Sequence, residues 1–149
     1  MLFFKDQPLC LLAAGAIFCF ITGCKSTAGS SRQNLIDDTT YRLTEVSDDK
    51  SYGFIVENPI IAGNGNEFDG PKNELRYLNA LTGPEGEQVY FNKAGVCCNF
   101  KTSNVKPSGI GRLSKFKVYY QGLPDTVTLY INKYDNGKMK APAGFGFKK

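Results

Sequence analysis

The chain has 149 residues, contains no His and no Trp, and carries a formal net charge of +4 at pH 7. The absence of His excludes Ser-His-Asp and Cys-His catalysis and every metal site that depends on imidazole. An enzyme with this composition would have to move protons with carboxylates, Lys, Tyr or Cys. Enzymatic activity is therefore less expected than a non-enzymatic role, and no cofactor or metal ion is predicted.

The first 23 residues are typical of a bacterial export signal. Lys5 supplies a positive charge, and a short apolar run extends from Leu9 to Ile21. This run is shorter than the ~20 residues of a membrane-spanning helix and fits the central region of a signal peptide. It ends at Ile21-Thr22-Gly23-Cys24, which resembles the lipobox of bacterial lipoproteins, where the Cys is lipidated and becomes the new N-terminus. Residues 1–23 are therefore predicted to be a lipoprotein signal peptide; the alternatives are ordinary secretion and an uncleaved anchor.

Lipid on Cys24 would hold the protein at a membrane. A diacylglycerol on the sulfur plus an N-acyl chain such as palmitate exceeds the single chain that gives only marginal anchoring. Lys25 follows the cysteine. In enterobacteria, Asp at this position retains lipoproteins in the inner membrane, so Lys favours the outer membrane, with the domain in the periplasm. The small polar residues that come next predict a lipidated, flexible tether over residues 24–36 and a single globular domain over residues 37–149.

The folded part is predicted to be α+β, with a small antiparallel sheet and one packed helix. Alternation of apolar and polar residues predicts strands at residues 40–46, 88–91, 113–120 and 126–132. The last two should form an antiparallel hairpin. Its core face is predicted to contain Ser114, Phe116, Val118, Tyr120, Val127, Leu129 and Ile131. Further extended segments are expected at residues 52–56 and 58–61, and the tail at residues 141–147 is expected to be a covering loop.

The helix is predicted to begin at Gly70-Pro71, because Pro suits a first turn, and to be stopped by Gly83-Pro84. Leu75, Leu78 and Leu81 lie at helical spacing and should form its buried stripe, with Tyr77 beside it. Glu74 and Arg76 fall off this stripe; they could project into a pocket, but a solvated pair is the commoner arrangement and is expected here. The remaining candidates for proton transfer are carboxylates whose spacing forces no two together: Asp69, Glu74, Glu87 and Asp135.

The charges are distributed unevenly along the chain. Residues 24–87 have a net charge of −5, whereas residues 88–149 have a net charge of +9. Lys115 and Lys117 point away from the predicted core and suit an anionic partner, such as lipid headgroups or cell-wall polymer. Alternatively, the two halves neutralise each other or the charges are solvated; nucleic acid is not expected for an exported protein. Nearby tyrosines could line a carbohydrate-binding or peptidoglycan-binding face, although half-buried sheet packing is commoner: Tyr119, Tyr120, Tyr130 and Tyr134.

Only Cys97 and Cys98 remain once the leader and the lipidated cysteine are set aside. In an oxidising compartment they could form a vicinal disulfide, or remain as two thiols packed as small apolar side chains. A third interpretation is chemistry, either soft-metal binding or thiol exchange. Two thiolates do not complete a tetrahedral zinc site, and adjacent cysteines lack the spacing of a CxxC redox motif. An intermolecular disulfide is a further alternative.

Several motifs between residues 52 and 145 carry a family resemblance: Gly70-Pro71-Lys72-Asn73-Glu74, Arg76-Tyr77-Leu78-Asn79-Ala80-Leu81, Gly83-Pro84-Glu85-Gly86-Glu87, Cys97-Cys98-Asn99-Phe100-Lys101-Thr102 and Ala141-Pro142-Ala143-Gly144-Phe145. On these, the chain resembles a family of small uncharacterised bacterial lipoproteins, which implies no particular activity. Members sometimes carry the label 2-dehydro-3-deoxyphosphooctonate aldolase. Such aldolases are (β/α)₈ barrels of ~200 residues or more, and this chain has neither a βα repeat nor a phosphate-binding loop, so its residues do not support that chemistry.

Together these features predict a lipid-anchored cell-envelope protein with a structural or binding role. Its expected partners are the membrane, through Cys24, and cell-wall polymer or another envelope protein. One alternative is a thiol- or metal-dependent activity at Cys97 and Cys98. The other is a module that binds envelope polymer or anionic lipid through Lys115 and Lys117.

Overall fold

The computed structural model describes residues 35–149. The predicted signal peptide, Cys24 and the predicted tether up to residue 34 lie outside the described residues. The described chain contains eight strands and one helix: β1 (Leu35–Asp37), β2 (Thr40–Tyr41), β3 (Ile60–Gly63), α1 (Gly70–Ala80), β4 (Leu81–Thr82), β5 (Val89–Lys101), β6 (Ile110–Tyr120), β7 (Val127–Asn136) and β8 (Gly146–Phe147).

A four-stranded sheet in the order β3-β7-β6-β5 organises the domain. The pairs β5–β6 and β6–β7 are antiparallel, and β6–β7 is the predicted hairpin. By contrast, β3 runs parallel to β7, with Ile60 beside Ile131. The pairs β1–β2 and β4–β8 form two smaller antiparallel sheets. The α+β prediction is confirmed at this level; the parallel pairing at β3 is a feature that it did not include.

The core lies on one face of the four-stranded sheet, which we call the inner face. Phe116 and Val118 of β6 and Leu129 and Ile131 of β7 are buried there, as predicted from their alternation. Helix α1 packs against β2, β3, β5 and β7 and contributes Tyr77 and Leu78 to the same cluster. The helix thus closes the inner face, and the opposite face, which we call the outer face, carries the alternate residues of each strand.

Helix α1 begins at Gly70 with Pro71 in its first turn, but its buried stripe differs from the prediction. Asn73 and Glu74 are buried, whereas Leu75 is 48% exposed. The expected solvated pair of Glu74 and Arg76 was wrong. The Glu74 carboxylate forms an ion pair with the Lys93 ammonium of β5, at an N–O distance of 2.9 Å. Arg76 instead donates a hydrogen bond to the carbonyl oxygen of Asp38. A buried Glu is sustained here because a cation from another strand reaches it.

The C-terminal tail is part of the core rather than a covering loop. Ala141 bridges to Val46, and β8 pairs with β4. The buried hydroxyl of Tyr77 donates to the carbonyl oxygen of Lys140 at 2.8 Å. Of the predicted strand at residues 40–46, only Thr40–Tyr41 and the bridge at Val46 are extended, and the predicted extended segment at residues 52–56 forms turns.

Candidate functional site

The cysteine pair lies near the end of β5, which is an edge strand of the four-stranded sheet. A disulfide joins Cys97 and Cys98, and both residues are half-buried. The register with β6 shifts between Cys97 and Asn99, so Cys98 is the extra residue of a β-bulge. Its φ of 54° is left-handed, a conformation that disfavours any residue with a Cβ atom. The pair therefore forms a fixed corner in the strand.

A second irregularity in β5 lies at Gly95, where φ is 103° and the register with β6 shifts again. Bulges interrupt the row of backbone groups that an edge strand would offer to another strand. The corner and this bulge thus protect the open edge of β5 against pairing. Within residues 35–149, no three Cys, Asp or Glu side chains come together as a metal-binding group.

The outer face carries the two lysines singled out from the sequence. Lys117 lies opposite Asn92 of β5 and Thr128 of β7, and Lys115 lies opposite Tyr130 of β7. Lys117 is exposed and Lys115 is half-buried. In the described part of the chain, neither lysine has a carboxylate oxygen within 4 Å. Their charges are therefore available to a partner.

An aromatic pair extends this surface. Tyr119 of β6 stacks on Tyr90 of β5, with ring centroids 5.2 Å apart and planes inclined by 18°. Both rings are nearly half exposed, at 43% and 46%. By contrast, Tyr120 points inward, and its hydroxyl donates to the carbonyl oxygen of Gly144. Lys115 and Lys117 thus share the outer face with an exposed aromatic platform, to which the sequence prediction assigned Tyr119 but not Tyr90.

The four candidate carboxylates are dispersed. Glu74 is buried against Lys93, and Glu87 accepts a hydrogen bond from the backbone N–H of Glu85 at 2.9 Å. Asp69 accepts hydrogen bonds from two side-chain amides of its own loop. Among the described residues, each carboxylate has its own partners, so the structure brings no pair of them together for acid–base catalysis.

Asp135 holds a polar network at the end of β7. Asn132 and Asn104 donate side-chain hydrogen bonds to its carboxylate at 2.8 and 2.9 Å, and the Thr102 hydroxyl donates to it as well. Burial raises the pKa of Asp135, but these three hydrogen bonds outweigh burial and hold the pKa below its ordinary value. The network pins the loop that follows β5 to the end of β7.

Beside this loop lies a cleft of about 480 Å³, which sequence reasoning missed. One wall comes from the loop between β3 and α1, and the other from the loop after β5. Its lining includes Phe68, the most exposed large apolar side chain of the described residues, at 86%. The available signal was a lone Phe among polar loop residues. The cleft is lined by residues of these two loops: Gly65, Asn66, Glu67, Phe68, Ser103, Asn104 and Lys106.

Comparisons of the chain with family models, with curated proteins and with solved structures give no match. In the described part of the chain, no helix is both long enough and apolar enough to cross a membrane. The resemblance to small bacterial lipoproteins and the lipidation of Cys24 therefore stay predictions from sequence.

Proposed function

We propose that this chain is a lipid-anchored protein of the bacterial cell envelope, attached to the outer membrane through Cys24, whose domain binds an acidic cell-wall polymer. The outer face is the proposed binding surface. One observation carries this proposal: Lys115 and Lys117 lie without ionic partners among the described residues, beside the stacked rings of Tyr90 and Tyr119.

The spacing of these groups suits a polymer with repeated charges. Alternate residues of a strand lie ~6–7 Å apart on one face, so Lys115 and Lys117 present two ammonium groups in a row. Strands β5, β6 and β7 all belong to the part of the chain with a net charge of +9, residues 88–149. Attraction between exposed charges is screened by salt over a Debye length of ~10 Å at 0.1 M, so binding should weaken as salt rises.

Binding is tested by sedimentation with purified cell walls, using a soluble version that lacks residues 1–23 and carries Cys24→Ser. Each Lys near an anionic surface contributes about 1 kcal/mol, and charge reversal adds repulsion. We therefore expect Lys115→Glu/Lys117→Glu to lower affinity by roughly a hundredfold or more. Lys50→Glu/Lys72→Glu is the matched control, because it changes the net charge equally at two exposed positions off the outer face.

Three results would contradict the proposal. Lys115→Glu/Lys117→Glu could leave cell-wall binding unchanged. The control variant could weaken binding as strongly, and net charge alone would then explain the loss. Alternatively, the protein could bind anionic lipid vesicles but no cell wall, which would make the membrane surface the partner.

The anchor is tested separately with the full chain expressed in a bacterium. The wild-type chain should fractionate with membranes and gain the mass of a diacylglycerol and an acyl chain. The Cys24→Ser variant should lose both properties. A wild-type chain recovered without lipid in the soluble periplasmic fraction would refute the anchor and leave the binding surface to be judged by the cell-wall experiment.

A second candidate function is thiol exchange at Cys97 and Cys98, which is favoured by the position of their disulfide on a partly exposed edge strand. Alkylation with and without prior reduction, read by intact mass, should show two labels only after reduction. If thiol exchange is the function, replacing both residues by Ser should abolish that exchange and leave the fold intact. A variant that unfolds would assign the pair a structural role instead.

A further inference from the structure

Phe68 is displayed to solvent by a loop that is well supplied with hydrogen bonds. Its backbone N–H donates to the side-chain oxygen of Asn66 at 3.0 Å, and the N–H of Asn66 donates to the side-chain oxygen of Asn64 at 3.1 Å. Both Asn side chains also donate to Asp69 at 3.2 Å. A Phe ring gains about 1.5–3 kcal/mol when it is buried, so a braced loop that leaves this ring outside forgoes that stabilisation.

The opposite wall of the cleft is equally well held. The Asn104 side-chain NH₂ group donates to Asp135 at 2.9 Å, and its backbone N–H donates to the Thr102 hydroxyl at 3.1 Å. The side-chain oxygen of Asn104 then remains as an acceptor, and it faces Gly65, where an added Cβ would lie 3.9 Å away. Among residues 35–149, this oxygen, the Ser103 hydroxyl and the Lys106 ammonium have no hydrogen-bond or ionic partner.

We infer that this cleft binds a saccharide, with one sugar ring stacked on Phe68 and its polar groups bound by Ser103, Asn104 and Lys106. The cleft offers a volume of about 480 Å³ and is open to solvent. A sugar ring has an apolar C–H face and a rim of hydroxyl groups, which match one flat aromatic ring beside a hydroxyl, an amide oxygen and an ammonium group.

The charged groups that line the cleft further restrict the class of sugar that it suits. Glu67 and Lys106 contribute one carboxylate and one ammonium group to the lining, so the cleft carries no excess of positive charge. It therefore suits a neutral sugar rather than a strongly anionic one. The cleft shares no residue with the outer face, and this inference does not rest on the proposed binding of acidic polymer.

The test is an NMR titration of the full chain in a detergent without a sugar head group. Chitotetraose and maltotetraose serve as probes of an N-acetylated and a plain neutral sugar. At least one of them should cause saturable amide shifts confined to residues 65–68 and 103–106. Phe68→Leu keeps an apolar side chain but removes the flat ring, so it should lower that affinity by roughly threefold or more, and Phe68→Tyr should retain it.

Leu75→Ala is the matched control, because it removes another exposed apolar side chain outside the cleft and should leave the affinity unchanged. Saturable shifts located elsewhere, or the same affinity with Phe68→Leu, would overturn the inference. So would the absence of saturable shifts with both oligosaccharides. Lys115→Glu/Lys117→Glu should leave the oligosaccharide affinity unchanged. Failure of the outer-face proposal is therefore distinguishable from failure of the cleft inference.

Discussion

Replacing Lys93 by Met should destabilise the domain more than any neighbouring surface substitution. The reason is that the buried Glu74 carboxylate would lose its only ionic partner among the described residues. The Glu74 side chain is 1% exposed, and Lys93 holds one of its oxygens at 2.9 Å. The other oxygen has no hydrogen-bond partner among the described residues. Met keeps the apolar stem of Lys93, whose ammonium lies 5.4 Å from the Phe116 ring centre, but it supplies no charge.

The size of the expected stability loss follows from how exposed Glu74 and Lys93 are. Removing one member of a fully buried pair costs about 3–5 kcal/mol. The Lys93 side chain is 43% exposed, so water reaches the site and we expect a loss nearer to about 2–3 kcal/mol in the free energy of unfolding. Glu74→Gln removes the buried charge and leaves Lys93 free to turn into water, so it should cost only about 1 kcal/mol.

Urea denaturation followed by circular dichroism measures these differences, and Lys117→Met is the matched control. Lys117 is exposed, lies on the adjacent strand and has no ion pair within residues 35–149, so its replacement should change stability by less than about 0.5 kcal/mol. Adding Glu74→Gln to Lys93→Met should restore part of the lost stability. A loss with Lys93→Met no larger than the control, or no restoration in the double variant, would refute the buried-charge explanation.

Three further predictions concern the backbone and the polar network. Cys97→Ser/Cys98→Gly should be more stable than Cys97→Ser/Cys98→Ser by about 0.5–1 kcal/mol in urea, because Gly adopts a left-handed φ without strain; equal stability would mean that the corner does not persist without the disulfide. The pKa of Asp135 is held below the ordinary 3.8, so its ionised form contributes stability above about pH 4 that is lost as the pH falls through the lower folded value. The stability difference between wild type and Asp135→Asn should therefore shrink on acidification below pH ~4, and a difference independent of pH would contradict the network. Gly63→Ala would place a Cβ atom 2.5–2.6 Å from backbone atoms of β7 and should cost at least about 1–3 kcal/mol; an unchanged urea midpoint would count against the tight β3–β7 contact.

The hairpin and the start of the helix could be predicted because their signals are local. Alternation along residues 113–120 and 126–132 assigned Phe116, Val118, Leu129 and Ile131 to the core, and the structure buries all four. Pro71 likewise indicated the first turn of α1 correctly. In both cases, the residues that determine the structure are neighbours in the chain.

The buried face of the helix could not be predicted because its determinant is distant. Hydrophobic spacing favoured Leu75, whereas the structure buries Glu74 and leaves Leu75 half exposed. Glu74 is tolerated inside only because Lys93 arrives from β5, and no pattern within the helix reports that contact. The parallel pairing of Ile60 with Ile131 is a second contact of this kind.

The candidate sites were predicted unevenly for a similar reason. Alternation alone placed Lys115 and Lys117 outside the core, but the stacking of Tyr90 on Tyr119 depends on the β5–β6 register. For Cys97 and Cys98, adjacency in sequence permits a disulfide, two thiols or chemistry, and the left-handed bulge at Cys98 depends on the pairing with β6, which no local pattern indicates. Phe68 was missed because its cleft is formed by two loops that are remote in sequence.

The position of the tail in the core affects when this domain can fold during synthesis. N-terminal segments of a growing chain emerge first, and a chain that has reached residue 136 already contains all four strands of the main sheet. It still lacks the acceptors of the Tyr77 and Tyr120 hydroxyls, the buried ring of Phe145 and the partner of β4. The domain can therefore complete its fold only after residue 147 has emerged, an order of events compatible with transport of the unfolded chain across a membrane.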